Sequence, residues 1–534
     1  MNAQPVLDAA SAHVLGAEWL TKSIAPASPY GERSFADLHP FRAGEEAQAQ
    51  ARSRRIVAVA RALDDDRLAA LQIEFDGVPD ATGAIARASM GDVLDDVNLL
   101  ELFRFCKTVE RVGQLFSQLH AGFGIDASAA GIVGRALAPG YREPAGFYLT
   151  DGFDGDLAAA RERLGREQAE LDAARGREVE GAARELERDE IASDEFIVMR
   201  TDLRATLPPG IRVVREAPTY LLCAVEYGSA SLAALARRDA AADAVAAAEE
   251  RVRGGLSSVV REHAASLDAG ARMLGELDVI FSAARFTRRH ACVAADVVAQ
   301  PMLAFEQARF LPLEAELAAA GRRFTPLDLE LNDPAVLTGP NMGGKSVALQ
   351  TCGFMALCAA FGLPVPAKRA RVALFDQIAW LGMGRDAEIG GLLSSFAREV
   401  VELREILARA APRLLILVDE FARTTTPHEG RALTVALLAR LRERGACGML
   451  ATHLAGIPGA AGVRHFSVRG VREVPALPAA QEAAEALAAL AESMDYTIAE
   501  VCGDDLPHGD AIALTSLLGM DREFVETAYR ALVE

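Results

Sequence analysis

Three short segments hold residue types at spacings that could act on a phosphate ester. The first is Gly339-Pro340-Asn341-Met342-Gly343-Gly344-Lys345-Ser346, a glycine, four residues, then Gly-Lys-Ser. Glycines there let backbone N–H groups turn toward an anion, and a helix starting at the same point adds positive potential. Lys345 would reach the outer phosphates, and the Ser346 hydroxyl would ligate Mg²⁺. The second is Leu414-Leu415-Ile416-Leu417-Val418-Asp419-Glu420, an apolar run closed by two acids. An aspartate at a strand end can support the cation, and the glutamate beside it can orient or deprotonate an attacking water. Thr424-Thr425-Thr426 follows as a polar loop near the γ-phosphate position. The third is Met449-Leu450-Ala451-Thr452-His453, a second apolar run ending in a polar pair, where His453 could sense the γ-phosphate. Taken together they read as a nucleoside triphosphate site using ATP and Mg²⁺.

These segments need a scaffold of strands feeding helices. Ala335-Val336-Leu337 reads as the strand entering the glycine loop, and Val347-Ala348-Leu349 as the helix leaving it. Residues 288–534 read as one domain, and strands and helices alternate over 293–534, with strands expected at 334–338, 371–374, 414–418, 448–451 and 463–468. Helices are expected at 345–361, 392–410, 429–444, 508–518 and 521–533. That alternation predicts a parallel α/β sheet. The preceding chain reads as three segments. Residues 1–30 lack periodicity and are expected to be a flexible, loosely attached N-terminus. Residues 31–153 are helical in pattern, with stretches over 53–72 and 92–119, Asp92 or Asp95 as a cap and Asn98 as a break. Residues 154–287 read as a helical arm with a small β element at its tip. Leu157, Leu164 and Leu171 are a heptad apart, as are Val179 and Leu186 after a slip, which suggests a short antiparallel coiled coil. Strands are expected at 196–199, 211–214 and 220–225 before the helix returns.

At 534 residues the chain exceeds one domain, and 51% hydrophobic residues suffice for several cores. No apolar run reaches the ~18 residues of a membrane span. Met1 to Tyr30 has no basic start followed by an apolar core, so a cytoplasmic protein without membrane contact is expected. The 7 cysteines are scattered and read as reduced core residues. The formal net charge is −19, a field that repels a polyanion. Residues 151–200 carry 15 acids against 8 arginines, the balance of a solvated face and not of a DNA grip.

Several of these motifs together resemble the MutS mismatch-repair ATPases. Thr338 to Ser346 is similar to that family's nucleotide loop, with its unusual Pro340-Asn341-Met342. Leu417 to Gly430 resembles its second motif, and Ala451 to Leu454 its histidine loop. Gly382 to Val400 resembles the segment between them, and Pro507 to Ala511 through Leu517 to Met520 its helical tail. The resemblance implies that Gly339, Pro340, Asn341, Met342, Gly343, Gly344, Lys345 and Ser346 hold phosphate and Mg²⁺. It implies Asp419 as metal support, Glu420 as catalytic base and His453 near the γ-phosphate. Phe324, in Phe324-Thr325-Pro326-Leu327-Asp328, falls where the family places an adenine contact; plain core packing is the alternative. Ser394 or Ser395 falls where such ATPases offer a hydroxyl to the nucleotide of a partner subunit, which implies a homodimer. The helical middle is similar to the family's lever and clamp domains.

The chain also departs from the pattern. Val347 stands where threonine is common, Ala422 and Thr424 replace glycines, and Pro427 stands where a Thr/Ser run ends. No counterpart of the mismatch-recognition domain or of the nuclease extension of one MutS branch is found. Two functions follow. One is a DNA-binding ATPase of mismatch or branched-DNA processing. The other is an ATP-dependent remodelling factor for a partner protein, such as an adenosylcobalamin-dependent aminomutase. A small-molecule kinase has no use for His453 or the serine pair.

Overall fold

Apolar runs buried on both faces make one sheet in the C-terminal region, and alternating runs make another. The computed structural model describes residues 6–119, 125–143, 146–193, 195–202, 206–340, 343–382, 395–409, 411–471, 494–503, 512, 515 and 520–533. Contacts divide the chain into two units, one of Met1–Asp76, Leu115–Phe123 and Leu274–Glu534, the other of Gly77–Gln114 and Gly124–Met273.

In the first unit the six-stranded sheet runs in the order Gln377–Leu381, Leu414–Asp419, Cys447–Ala451, Pro334–Thr338, Arg464–Val471, Met494–Glu500. Every pairing is parallel except the last. Pro334–Thr338 and Cys447–Ala451 are buried at every position, as strands covered on both faces must be. Helices Lys345–Ala360, Ser395–Ala408 and Pro427–Glu443 lie in sequence between the strands, near the expected positions.

The expectation of a single parallel sheet is corrected in one respect. The strand expected at 371–374 is Arg369–Ala373, and it belongs to a separate four-stranded sheet with Asp296–Val298, Leu303–Ala308 and Leu327–Leu331. Exposed Arg369 and Arg371 alternate with buried Ala370 and Val372, the pattern of a half-solvated strand in a largely antiparallel sheet. The expected helix at 508–518 lies almost wholly outside the described residues.

Residues 6–30 also differ from expectation. Helices Ala9–Val14, Ala17–Ile24 and Pro29–Ala36 form there, with Asp8 and Ser28 capping two of them. Val6, Leu15 and Ile24 are buried. The carbonyl of Val6 accepts from Ile378 N–H at 2.8 Å, and Ser11 Oγ accepts from Trp380 N–H at 2.9 Å. The segment thus satisfies backbone donors on the open edge of the six-stranded sheet. Helices this short show little periodicity, which is why the sequence reads as loose.

A buried carboxylate fixes the end of this segment. Asp278 accepts from Ala27 N–H, from Ser28 N–H at 2.7 Å and from Ser28 Oγ at 2.6 Å. Burial pushes its carboxyl above the ordinary range, and the Ser28 hydroxyl and the N–H groups pull it back. Asp278→Ala strands these donors in the interior and is expected to lower unfolding stability by ~3 kcal/mol, read as a shift of the urea midpoint. A midpoint within error of the parent chain would show the contact to be energetically idle.

Among the described residues the second unit is helical apart from a two-stranded antiparallel pair, Tyr141–Arg142 with Gly146–Phe147, and a three-stranded antiparallel sheet, Glu195–Met199, Tyr220–Val225 and Ile211–Glu216 in spatial order. Helix Asp96–Gln118 starts after Asp95, whose carboxylate accepts from Asn98 N–H, so Asp95 is the cap and Asn98 lies in the first turn without breaking the helix. Helix Gly155–Glu185 runs antiparallel to the first part of Ser229–His290. Arg161 meets Glu249, Arg237 meets Glu167 and Glu170, and Gly228 N–H meets Glu178. Leu171 packs with Ala234 between them, Leu157 is buried as well, and Val179 and Leu186 pack on the core of the small sheet. Six free cysteines are buried and Cys502 is exposed, which corrects its reading as a core residue. Among the described residues no helix is long and apolar enough to cross a membrane.

Candidate nucleotide site

The strand order brings three chain segments to one edge of the six-stranded sheet. Leu414–Asp419, Cys447–Ala451 and Pro334–Thr338 are neighbours and run parallel, so their C-terminal ends meet. Ligands of open α/β sheets bind outside such ends. The last of these strands passes into the glycine loop, and helix Lys345–Ala360 leaves it. Two glycines there are required by the geometry. Gly339 has φ 145°, and a Cβ on it would stand 2.9 Å from Val468. Gly344 has φ 85°, and a Cβ on it would stand 3.1 Å from the Tyr496 ring.

Lys345 is 6% exposed, and its Nζ donates to the carbonyls of Gly339 and Pro340 at 3.0 Å each. Burial pushes its amine below the ordinary range, opposed by the carboxylates of Glu420 and Asp419. Those same carboxylates keep a positive charge favourable at this depth. The Ser346 hydroxyl donates to the Asp419 carboxyl, which burial holds above its ordinary range against that bond. Gly382, with φ 149°, leaves room for Asp419: a Cβ on it would lie 2.7 Å from the Asp419 Cβ. A hydroxyl and a carboxylate in contact are the hard oxygen donors Mg²⁺ takes, so this pair fits the cation the motif implies.

Glu420 leaves the sheet at φ 61°, and its N–H donates to the carbonyl of Ala451 at 3.1 Å. Ala422 follows at φ 59°. Left-handed conformations at residues other than glycine cost about 1 kcal/mol or more each, and they collect at functional turns. Thr452 N–H donates to the Leu337 carbonyl at 3.0 Å, and Thr452 Oγ accepts from Leu454 N–H at 3.1 Å. His453, between them, has its Nδ1 3.8 Å from Glu420 Oε1. A cavity of about 40 Å³ lies against Glu420, Thr452 and His453, room for about one water.

A larger cavity, about 570 Å³, opens on the other side of Gly344. Phe324, Leu317, Val347 and Tyr496 line it together with Arg322 and Arg323. Aromatic and aliphatic walls with cations at the rim suit a purine base beside a phosphate loop.

The structure therefore brings together Gly339, Gly344, Lys345, Ser346, Asp419, Glu420 and His453, with Phe324 in the adjoining cavity. Pro340 lends its carbonyl to Lys345, and Gly343 N–H donates back to that carbonyl at 3.0 Å. Asn341, Met342 and Ser394 lie outside the described residues, and Ser395 is placed only as the first residue of its helix. Thr425 lines the small cavity with Glu420 and His453, and the threonine run has a second use. Thr425 and Thr426 hydroxyls donate to Glu429, and Thr426 caps helix Pro427–Glu443 with Pro427 in its first turn. Thr426-Pro427-His428-Glu429 is a capping box that the sequence already displays.

Two neighbours of the site carry no signal in the sequence. Tyr496 sits on the antiparallel edge strand, far along the chain, where no motif marks it. His465 is buried, with Nε2 2.8 Å from Thr338 Oγ1 and Nδ1 2.8 Å from the Gly503 carbonyl. It fixes the strand end before Gly339, and a lone histidine in a mixed polar and apolar strand does not announce that.

Residues 335–474 match the family model "MutS domain V". The Endonuclease MutS2 of Geobacillus thermodenitrificans is 31% identical over 399 residues, 71% of this chain and 49% of the relative. That of Anaeromyxobacter sp. is 29% identical over 446 residues, 78% of this chain and 53% of the relative. The DNA mismatch repair protein MutS of Granulibacter bethesdensis is 35% identical over 202 residues, 37% of this chain and 22% of the relative. At its longest matches the chain spans about half the length of these curated relatives.

Proposed function

The chain belongs to the MutS family, and from that premise we propose that it is an ATPase whose nucleotide state drives work on DNA. The observation that carries the ATPase reading is the meeting of Lys345, the Ser346–Asp419 pair and the Glu420–His453 pair at the ends of three adjacent strands. Backbone N–H groups of the loop and Lys345 bind the β- and γ-phosphates of ATP. Ser346 and Asp419 would hold Mg²⁺, which supplies charge neutralisation at the phosphates. The base enters the cavity between Phe324 and Tyr496.

In hydrolysis a water attacks the γ-phosphorus, its proton passes to the Glu420 carboxylate, and the bond to the β-phosphate oxygen breaks. His453 stands beside Glu420, where it can donate to the γ-phosphate or orient the water. Ser394 or Ser395 would complete the site on a second copy, which makes the working unit a homodimer.

The target of this motor is DNA on the strength of the relatives, named for mismatch repair or as endonucleases. A specific observation favours a second reading, a protein target. Of the six arginines of helix Gly155–Glu185, Arg161 and Arg166 are held by carboxylates, and Glu167 and Glu170 take up Arg237. Arginines so engaged are poor phosphate contacts. ATP turnover and binding should be measured with duplex, branched and single-stranded DNA at ~50 mM salt, where phosphate contacts are strong. The DNA reading expects at least one form to bind and to change turnover. Binding to none of them would leave the protein target standing.

A further inference from the structure

We propose that Glu399 is a positioning residue of the hydrolytic site, holding the left-handed turn at Ala422 and, through it, the direction of Glu420. The inference rests on the ATPase reading and goes beyond it, since Glu399 lies in the segment Gly382 to Val400 with no role assigned to it. Its carboxylate accepts from Ala422 N–H at 2.9 Å. It stands on helix Ser395–Ala408, which begins directly after the serine segment. Phe396, Leu403 and Leu407 share its side of that helix and pack on the core that includes Phe421, Ala422 and Ile406. The acceptor is thus carried by an element anchored in the same core as the turn it holds.

The turn needs such a hold. Glu420 and Ala422 have φ 61° and 59°, and neither is glycine. The related pattern carries glycine at the second position; alanine here must be kept in a conformation it disfavours. A charge-assisted bond to its N–H does that, and a carboxylate is the strong acceptor for the task. Burial pushes the Glu399 carboxyl up, and the Ala422 N–H and Arg423 oppose this, as expected of an acceptor engaged at the turn. Among the described residues the partners of Glu399 are Ala422, Arg423 and Glu402, none of them in the loop that binds the phosphates. Loss of the Glu399 contact should therefore act on turnover and not on ATP affinity.

The test compares the full chain with Glu399→Ala, Glu399→Gln and the double variant Glu399→Ala/Ala422→Gly. Steady-state turnover, ATP affinity and hydrogen exchange of residues 420–426 are read for each. Glu399→Ala should lower kcat about tenfold or more, with ATP affinity within about twofold and faster exchange at Ala422. Glu399→Gln, whose amide oxygen can still accept, should stay within about threefold of the parent. The double variant should recover most of the lost kcat, because glycine takes φ near 59° unaided. A merely structural role for Glu399 predicts no such rescue. Unchanged kcat in Glu399→Ala, or a double variant as slow as the single, overturns the proposal. Absence of turnover in the parent chain overturns the ATPase reading itself; exchange at Ala422 unaffected by Glu399→Ala then overturns the contact independently.

Discussion

Replacing Glu420 with glutamine is expected to slow ATP turnover about 100- to 1,000-fold while ATP stays bound. The amide keeps the size of the side chain, so the N–H bond from Glu420 to Ala451 and the approach to His453 persist. What it removes is the capacity to take a proton from water. The phosphates are held elsewhere, by the loop and Lys345, so affinity should change little. Phosphate release and retention of radiolabelled ATP on a filter give the two numbers separately. Undiminished turnover would refute Glu420 as base and return the role to a water oriented by other groups.

Lys345→Ala should act the other way, on binding first. Charge-assisted hydrogen bonds contribute ~1.5–3 kcal/mol each, so losing the contacts to the β- and γ-phosphates should weaken ATP affinity about 100-fold. A second effect follows from burial. Lys345 is the cation between Asp419 and Glu420, and without it those carboxylates repel each other and the incoming phosphates. Turnover should fall below detection at ATP concentrations that saturate the parent chain. Calorimetric titration with MgATP reads the affinity, and a thermal melt of the unliganded variant checks that the fold survives. Parent-like affinity would show that Lys345 is held by the loop carbonyls in every state and never reaches the phosphates.

Much of this site is legible in the amino-acid sequence. Gly339 to Ser346, Asp419-Glu420 and His453 stand out because each closes a fully apolar run. Such runs become interior parallel strands, and neighbouring parallel strands bring their ends together. The strand expected at 371–374 belongs to another sheet, and the run that does join the parallel sheet is Gln377–Leu381. That apolar run follows Ala373 after three residues, and the two strands belong to different sheets. Short helices hide the N-terminal segment, whose order comes from Asp278 and the open sheet edge, both distant in sequence. Tyr496 and Glu399 are unreadable for a related reason. Their importance lies in what they meet across the fold, Gly344 in one case and Ala422 in the other. The threonine run shows half of what it does. Hydroxyls beside a catalytic acid suggest a place near phosphate, and Thr425 lines the cavity of Glu420 and His453, while Thr426 and Glu429, at the spacing of a capping box, also start the next helix.

The most direct test of the site is a crystal structure of the chain with Mg²⁺ and a non-hydrolysable ATP analogue. The expected result has the phosphates against the backbone of Gly339 to Lys345 and the metal at Ser346 and Asp419. The adenine should lie between Phe324 and Tyr496, with Glu420 and His453 facing the γ-phosphate. A loop without nucleotide at saturating analogue, or nucleotide bound elsewhere on the chain, would contradict it.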